Sequence, residues 1–164
     1  MLKADKTFNL NGVTVNEFLL TKHNKNKISM PSKMNGKVIG VTLHNTPDLK
    51  NVNDDAEQYT RATYNGNMGT ARVHFYVDDL GAWQNLPLDN QSWHAGQSGK
   101  PAQYGSGKGN SNTISIECIM KSDDLSVEEK NISSQLVELE QAFSNMKDMF
   151  KVCKIFYEDQ QMTF

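Results

Sequence analysis

The sequence has few cysteines, no excess of either charge and no long apolar run. Its 164 residues contain two cysteines, Cys118 and Cys153, which exclude a disulfide framework and a zinc knuckle and are predicted to be buried thiols. With 17 basic and 19 acidic side chains the formal charge is −2, which argues against nucleic acid as a partner. No stretch approaches the roughly 18 apolar residues of a membrane span, and the N-terminus lacks the apolar run of a signal peptide. We therefore expect synthesis in the cytoplasm without membrane insertion.

The length predicts one domain with a single hydrophobic core. Two short strands joined by Asn11-Gly12 predict an opening hairpin, and the lysine-rich residues 21–37 predict an exposed connection. We therefore divide the chain into an N-terminal hairpin and connection, residues 1–36, and a main domain, residues 37–164. Strands separated by helices predict an α/β domain, with a mixed central sheet flanked by helices.

Three further segments have recognisable patterns. Asp54 and Asp55 precede a helical pattern that ends before residues 65–70, and residues 126–150 form a second, amphipathic helical pattern. Residues 71–79 alternate as a strand that points His74 away from Phe75, towards solvent or a cleft. The glycine-rich residues 90–112 predict a functional or mobile loop, but they lack the spacing of a phosphate-binding loop.

Two polar residues stand in apolar strands. His44 lies near the end of residues 38–46 and is either a satisfied core histidine or a metal ligand. Glu117 lies within residues 113–120 and is either a solvated glutamate on an edge strand or a functional carboxylate whose pKa burial raises. Together they suggest a zinc ion and a general base. His94, beside Trp93, is placed to contact a ligand, whereas His23 is expected to be a solvated loop residue.

Four segments of the sequence form an ordered set of motifs: GVTLHNT (40–46), RVHFYVDDLG (72–81), NQSWHAGQSG (90–99) and NTISIECIM (112–120). In this order they resemble the motifs of zinc-dependent N-acetylmuramoyl-L-alanine amidases of type 2. This family includes phage endolysins, bacterial autolysins and peptidoglycan recognition proteins. The resemblance covers residues 37–164 and implies an amidase-like catalytic domain. Its partner would be bacterial peptidoglycan, which it would reach after release from the cytoplasm.

The resemblance also implies roles for individual residues. His44 corresponds to a zinc ligand, and Glu117 to the carboxylate that takes a proton from zinc-activated water as the bond between N-acetylmuramic acid and L-alanine is cleaved. The substrate-binding residues that it implies are His94, Trp93, His74 and Asn45.

The family completes its metal site after the long helix. Here Asp159 takes the position of the second ligand, and the third ligand has no counterpart in the sequence. The expectation is therefore a zinc amidase with weak or no activity. One alternative is a protein that binds peptidoglycan in the same cleft without cleaving it, and another is an unrelated α/β protein with structural histidines.

Overall fold

The computed structural model of the chain describes residues 1–10, 12–34, 38, 40–46, 55–95 and 108–119. Within these residues the chain forms three helices and six strands. The helices are α1 (Leu20–His23), α2 (Ala56–Tyr64) and α3 (Lys108–Asn112). The strands are β1 (Lys6–Leu10), β2 (Val13–Glu17), β3 (Gly40–Asn45), β4 (Phe75–Asp78), β5 (Gly81–Gln84) and β6 (Thr113–Cys118).

The strands form one mixed sheet in the order β1-β2-β5-β4-β6-β3. Parallel pairing joins β2 to β5, β4 to β6 and β6 to β3, whereas β1 with β2 and β4 with β5 are antiparallel. The predicted α/β fold with a mixed central sheet is thus confirmed. In the part of the chain that the structure describes, no helix is long and apolar enough to cross a membrane.

The opening hairpin extends this same sheet. Leu10 lies opposite Val13, so the turn between β1 and β2 has two residues, as the Asn-Gly pair predicts. The segment after α1 is less exposed than expected, because Pro31 is buried and its carbonyl accepts a hydrogen bond from the Asn90 side chain at 3.0 Å. The expectation of a wholly exposed connection is therefore wrong for this segment. The division of the chain at residue 37 stays a prediction.

Two carboxylates hold the start of α2. Asp55 caps the helix by accepting a hydrogen bond from the Gln58 amide at 2.8 Å, and the amide of Ala56 donates to Asp78 at 2.8 Å. The buried Asp78 also accepts from the amides of the turn between β4 and β5. One side chain therefore joins α2 to the sheet, and the helix ends before residue 65, as predicted.

The two faces of the sheet carry different side chains. One face is apolar and includes the predicted buried thiol of Cys118; its fully or nearly fully buried members include Val15, Phe75, Val77, Ala82, Ile114, Ile116 and Cys118. On the other face, the pairing of neighbouring strands places five residues in one row across five strands. They are Asn16, Trp83, Tyr76, Glu117 and His44. The helix predicted over residues 126–150 and Cys153 lie outside the described residues.

His74 lies in the interior instead of facing solvent or a cleft. Its side chain has no exposed surface, and it lies directly before β4, which is flanked by β5 and β6 in the sheet. The ring Nε2–H donates to the Asn90 carbonyl at 2.9 Å, and Nδ1 accepts from the Ser115 amide at 3.1 Å. Burial lowers the pKa of His74 to about 4, although the hydrogen bond to Asn90 acts in the opposite direction. The sequence expectation for this side chain was wrong.

The buried His74 should make the protein sensitive to acid. Between pH 6.5 and about 4 the unfolded chain binds a proton at this imidazole that the folded chain does not, so stability falls as the pH is lowered through this window. We expect His74 to contribute a loss of about 2 kcal/mol in the free energy of unfolding between pH 7.5 and 5. Denaturant unfolding measures the loss, and the NMR titration of the His74 ring tests its source. A midpoint near pH 6.5 for that ring would contradict this prediction.

Gly81 should not tolerate a side chain. It has a φ of +147°, and a Cβ atom there would collide with the backbone oxygen of Thr14 on the neighbouring β2. We expect Gly81→Ala to lower the free energy of unfolding by about 2 to 4 kcal/mol, because strain and collision add. Gly69→Ala is the matched control, since Gly69 has a φ of +55° with nothing within 4 Å of the added atom and should lose only about 1 kcal/mol. Equal losses in thermal or denaturant unfolding would refute the collision.

Candidate functional site

Parallel pairing places His44 beside Glu117. The two residues are register partners on β3 and β6, and on its other side Glu117 is the register partner of Tyr76 on β4. Because β6 lies between β4 and β3, Glu117 is not on an edge strand, and the expectation of a solvated edge glutamate is wrong. The three side chains therefore form one row on the polar face of the sheet.

Glu117 is half-buried, and its surroundings favour the protonated form. Burial raises the pKa of its carboxyl to about 7. The neighbouring Tyr76 hydroxyl makes a hydrogen bond of 2.9 Å to Thr63, and burial raises the pKa of Tyr76 to about 12. A carboxyl group with a pKa near neutrality can accept a proton in one step and return it in the next.

His44 contacts His94. The Nε2 atom of His44 and the Nδ1 atom of His94 lie 2.8 Å apart, and the rings meet edge to face with centroids 5.0 Å apart. The other ring nitrogen of His94, Nε2, lies 3.1 Å from the Gly109 carbonyl, which can only accept a hydrogen bond. Nε2 of His94 therefore carries the proton, and the lone pair of Nδ1 points at His44.

Both imidazoles of this pair are held in the neutral form. Burial lowers the pKa of His44. Burial also lowers the pKa of His94, to about 4, and the neighbouring His44 contributes in the same direction, whereas the hydrogen bond to Gly109 opposes the shift. Neutral imidazole is the form that donates a lone pair to a metal ion.

The start of α3 fixes the position of His94. The Asn110 side chain accepts hydrogen bonds from the amides of His94 and Ala95, both at 2.8 Å. Thr113 donates to the Gly109 carbonyl at 2.6 Å and lies 3.2 Å from Nε2 of His94. Gly109 lies so close to Ala95 that a Cβ atom added to the glycine would be 2.8 Å from the Ala95 side chain. The backbone that carries His94 is thus tied to the beginning of β6.

The other predicted site residues lie in different surroundings. His74 supports the sheet through Ser115, but it is fully buried and has no surface for a substrate to touch. Trp93 is half-buried and its backbone pairs with Arg72. Asn45 is the last residue of β3, opposite Cys118. Asp159, together with residues 96–107 of the glycine-rich loop, lies outside the described residues.

His23 lies away from this group. It is half-buried, with its ring stacked on Phe18 at a centroid distance of 4.3 Å and its Nε2 atom 2.7 Å from Asp5. The expectation of a solvated loop histidine is therefore wrong.

Sequence reasoning missed three residues that lie next to the predicted site residues: Tyr76, Gly109 and Asn110. Tyr76 could have been found, because strand alternation places it on the same face as His74. Asn110 and Gly109 carry no such signal, since their contacts with His94 and Ala95 join residues about 15 positions apart in the sequence.

The described residues supply only part of the ligand set of a catalytic zinc ion, which takes three protein side chains and a water. Imidazole nitrogens are among the ligands that zinc takes in proteins, and His44 and His94 present two of them within hydrogen-bond distance. In the described part of the chain, no three or more His, Cys, Asp and Glu side chains come together as a metal-binding group. A site built from these residues alone would therefore rest on two imidazoles.

The sequence is similar to those of known amidases. The sequence profile of the N-acetylmuramoyl-L-alanine amidase family matches residues 34–148. The amidase XlyA of Bacillus subtilis is 37% identical over 83 residues, which are 51% of this chain and 25% of XlyA. The amidase XlyB of the same organism is 32% identical over 105 residues, 63% of this chain and 29% of XlyB. The chain thus spans less than a third of the length of these relatives.

A solved structure of a mutant endolysin from Bacillus subtilis has a similar fold. It superposes with a TM-score of 0.56 at 29% sequence identity, covering 81% of this chain and 78% of the endolysin chain. The match of the family profile to most of the chain, together with this fold, identifies the chain as a member of the N-acetylmuramoyl-L-alanine amidase family.

Proposed function

We propose that this protein is a peptidoglycan hydrolase that cleaves the amide bond between N-acetylmuramic acid and L-alanine. The observation that carries the proposal is the pairing of His44 with Glu117 in one row of the sheet, where burial raises the pKa of the Glu117 carboxyl to about 7. Membership of the amidase family supports the same reaction. The substrate would be the bacterial cell wall, on which endolysin-like proteins act.

Glu117 is the general base in this proposal. Its carboxylate takes a proton from the water that attacks the amide carbonyl, and the resulting carboxylic acid donates that proton to the departing nitrogen of L-alanine. A pKa near 7 suits both steps, because neither the ionised nor the protonated form is strongly disfavoured at neutral pH. The buried hydrogen bond between Tyr76 and Thr63 holds the Tyr76 ring in place next to Glu117.

His44 holds the metal ion in this proposal. The amidase family is generally zinc-dependent, and the neutral His44 imidazole is a suitable ligand. Zinc, when bound, lowers the pKa of a coordinated water and polarises the carbonyl under attack. The sequence resemblance adds Asp159 as a ligand. His94 and Trp93, which follow one another in the chain, and Asn45 at the end of β3 would line the cleft that receives the substrate.

Replacing Glu117 should abolish catalysis without abolishing binding. We expect Glu117→Gln to lower kcat for the release of stem peptides from purified peptidoglycan by at least about 100-fold, because the amide cannot accept the proton. Sedimentation with cell walls should be unchanged, since glutamine keeps the shape of the side chain. Glu17→Gln is the matched control, because Glu17 lies on β2 at the far side of the sheet and pairs with the exposed Lys22. Full activity in Glu117→Gln would exclude Glu117 as the base.

Removal of the metal should stop the reaction reversibly. After dialysis against a chelator we expect no release of stem peptides, and we expect activity to return on addition of one equivalent of Zn²⁺. The assay also decides between the hydrolase and a protein that only binds peptidoglycan. Retention on cell walls with no cleavage at any zinc concentration would contradict the proposed reaction and favour the binding protein.

A further inference from the structure

We infer that a cavity beside the opening hairpin is an accessory site for the phosphate groups of an anionic cell-wall polymer. The cavity has a volume of about 490 Å³ and is formed by residues 2–5, residues 18–25 and the end of α2. The inference goes beyond the proposed reaction and takes from it only the cell wall as the source of the ligand. Its lining includes Lys3, Asp5, Phe18, His23, Lys25 and Tyr64.

Three rings that line the cavity are packed on one another. Phe18 stacks on His23 with ring centroids 4.3 Å apart, and it meets Tyr64 edge to face at 5.5 Å. The amide of Leu2 donates a hydrogen bond of 2.7 Å to Glu57 on α2, so the segment before β1 is held against the helix that ends at Tyr64. The cavity is therefore a packed structure whose rings offer apolar surface to the carbon atoms of a sugar or polyol.

The charge available to a ligand at this cavity is positive. Lys3 and Lys25 are exposed and come from different segments, and within the described residues neither lysine forms an ion pair. Among the lining residues that the structure describes, only Asp5 is acidic. Its carboxylate lies 2.7 Å from Nε2 of His23 and accepts a hydrogen bond from the Leu19 amide at 3.4 Å. Asp5 is thus engaged within the protein, and the two ammonium groups remain for a ligand.

Two ammonium groups at one cavity suit phosphate better than a single carboxylate. Lysine binds phosphate as a point charge, and a phosphate group supplies several acceptor oxygens. A polymer of phosphodiesters repeats its negative charge in every unit, so that each lysine can meet a separate unit. The whole chain has a formal charge of −2, so this local excess of positive charge does not follow from a basic composition.

The cavity is separate from the row that carries Glu117. Phe18 directly follows β2, whereas His44 lies on β3, and three strands stand between β2 and β3 in the sheet. Four strand spacings of about 4.8 Å put these two strands roughly 19 Å apart. A polymer that is linked to peptidoglycan can reach both regions, and its attachment at the cavity would raise the local concentration of amide bonds at the catalytic row.

Removal of the two lysine charges tests the inference. We expect Lys3→Gln combined with Lys25→Gln to weaken sedimentation with whole cell walls by about 5- to 30-fold at low salt, because each exposed charge contributes modestly and the two contributions add. The loss should shrink as the salt concentration is raised, since salt screens exposed charges. Lys27→Gln combined with Lys33→Gln is the matched control, because both lysines are exposed and lie outside the cavity.

Cell walls stripped of their phosphate polymers with hydrofluoric acid identify the group that is bound. The double variant at Lys3 and Lys25 should bind stripped walls as tightly as the wild type does. The same loss on stripped and whole walls would overturn the inference and indicate a carboxylate ligand. Equal binding of this variant and the wild type to whole walls would also overturn it.

A second measurement does not depend on any variant. Titration of the wild type with glycerol 3-phosphate, followed by NMR, should shift the signals of the His23 and Tyr64 rings, whereas glycerol at the same concentration should not. Absence of a shift with glycerol 3-phosphate, or equal shifts with both compounds, would contradict a phosphate site in this cavity.

The outcome is separable from that of the proposed function. On a soluble fragment of peptidoglycan that contains the amide bond, the double variant at Lys3 and Lys25 should keep the kcat of the wild type. Phosphate-dependent wall binding in a protein that releases no stem peptides would leave the inference standing and contradict the amidase reaction. Release of stem peptides with no effect of phosphate or of the two lysines on wall binding would do the reverse.

Discussion

Parallel pairing of β3 with β6 is the constraint on which the site depends. Six consecutive residues of each strand are in register, and the fifth pair is His44 with Glu117. A shift of one residue in the register of β3 or β6 would turn the His44 or Glu117 side chain to the apolar face, where neither an imidazole nor a carboxyl group has a partner. The pairing of β6 with β4 then adds Tyr76 to the same row and makes β6 an interior strand.

Burial on this face produces the chemical properties of the site. It raises the pKa of Glu117 to about 7 and lowers the pKa of His94 to about 4, so that at neutral pH the carboxyl group can exchange protons while the imidazole stays neutral and accepts a hydrogen bond from His44. The polar side chains behind them are held by hydrogen bonds, among them those of His74 to Asn90 and Ser115.

Local patterns predicted much of the fold. The two-residue connection between β1 and β2, the helix that begins after Asp55 and the strands that carry His44 and Glu117 appear where the sequence places them, because each depends on neighbours a few residues away. The burial of His74, the interior position of β6 and the anchoring of Pro31 were not predicted. Each results from a contact with a distant segment, and alternation along one strand cannot show how many neighbours that strand has.

The sequence alone determined the fold class, the family resemblance and the two residues, His44 and Glu117, whose chemistry is unusual for their strands. These features depend on residue type and local order, which folding does not change. Only the tertiary structure decided that His94 contacts His44, since the two are 50 residues apart and His94 is held by hydrogen bonds to Gly109 and Asn110, just before β6. The tertiary structure also set the pKa of Glu117. Burial raises this pKa, and the loss of solvation depends on what surrounds the carboxyl group in space.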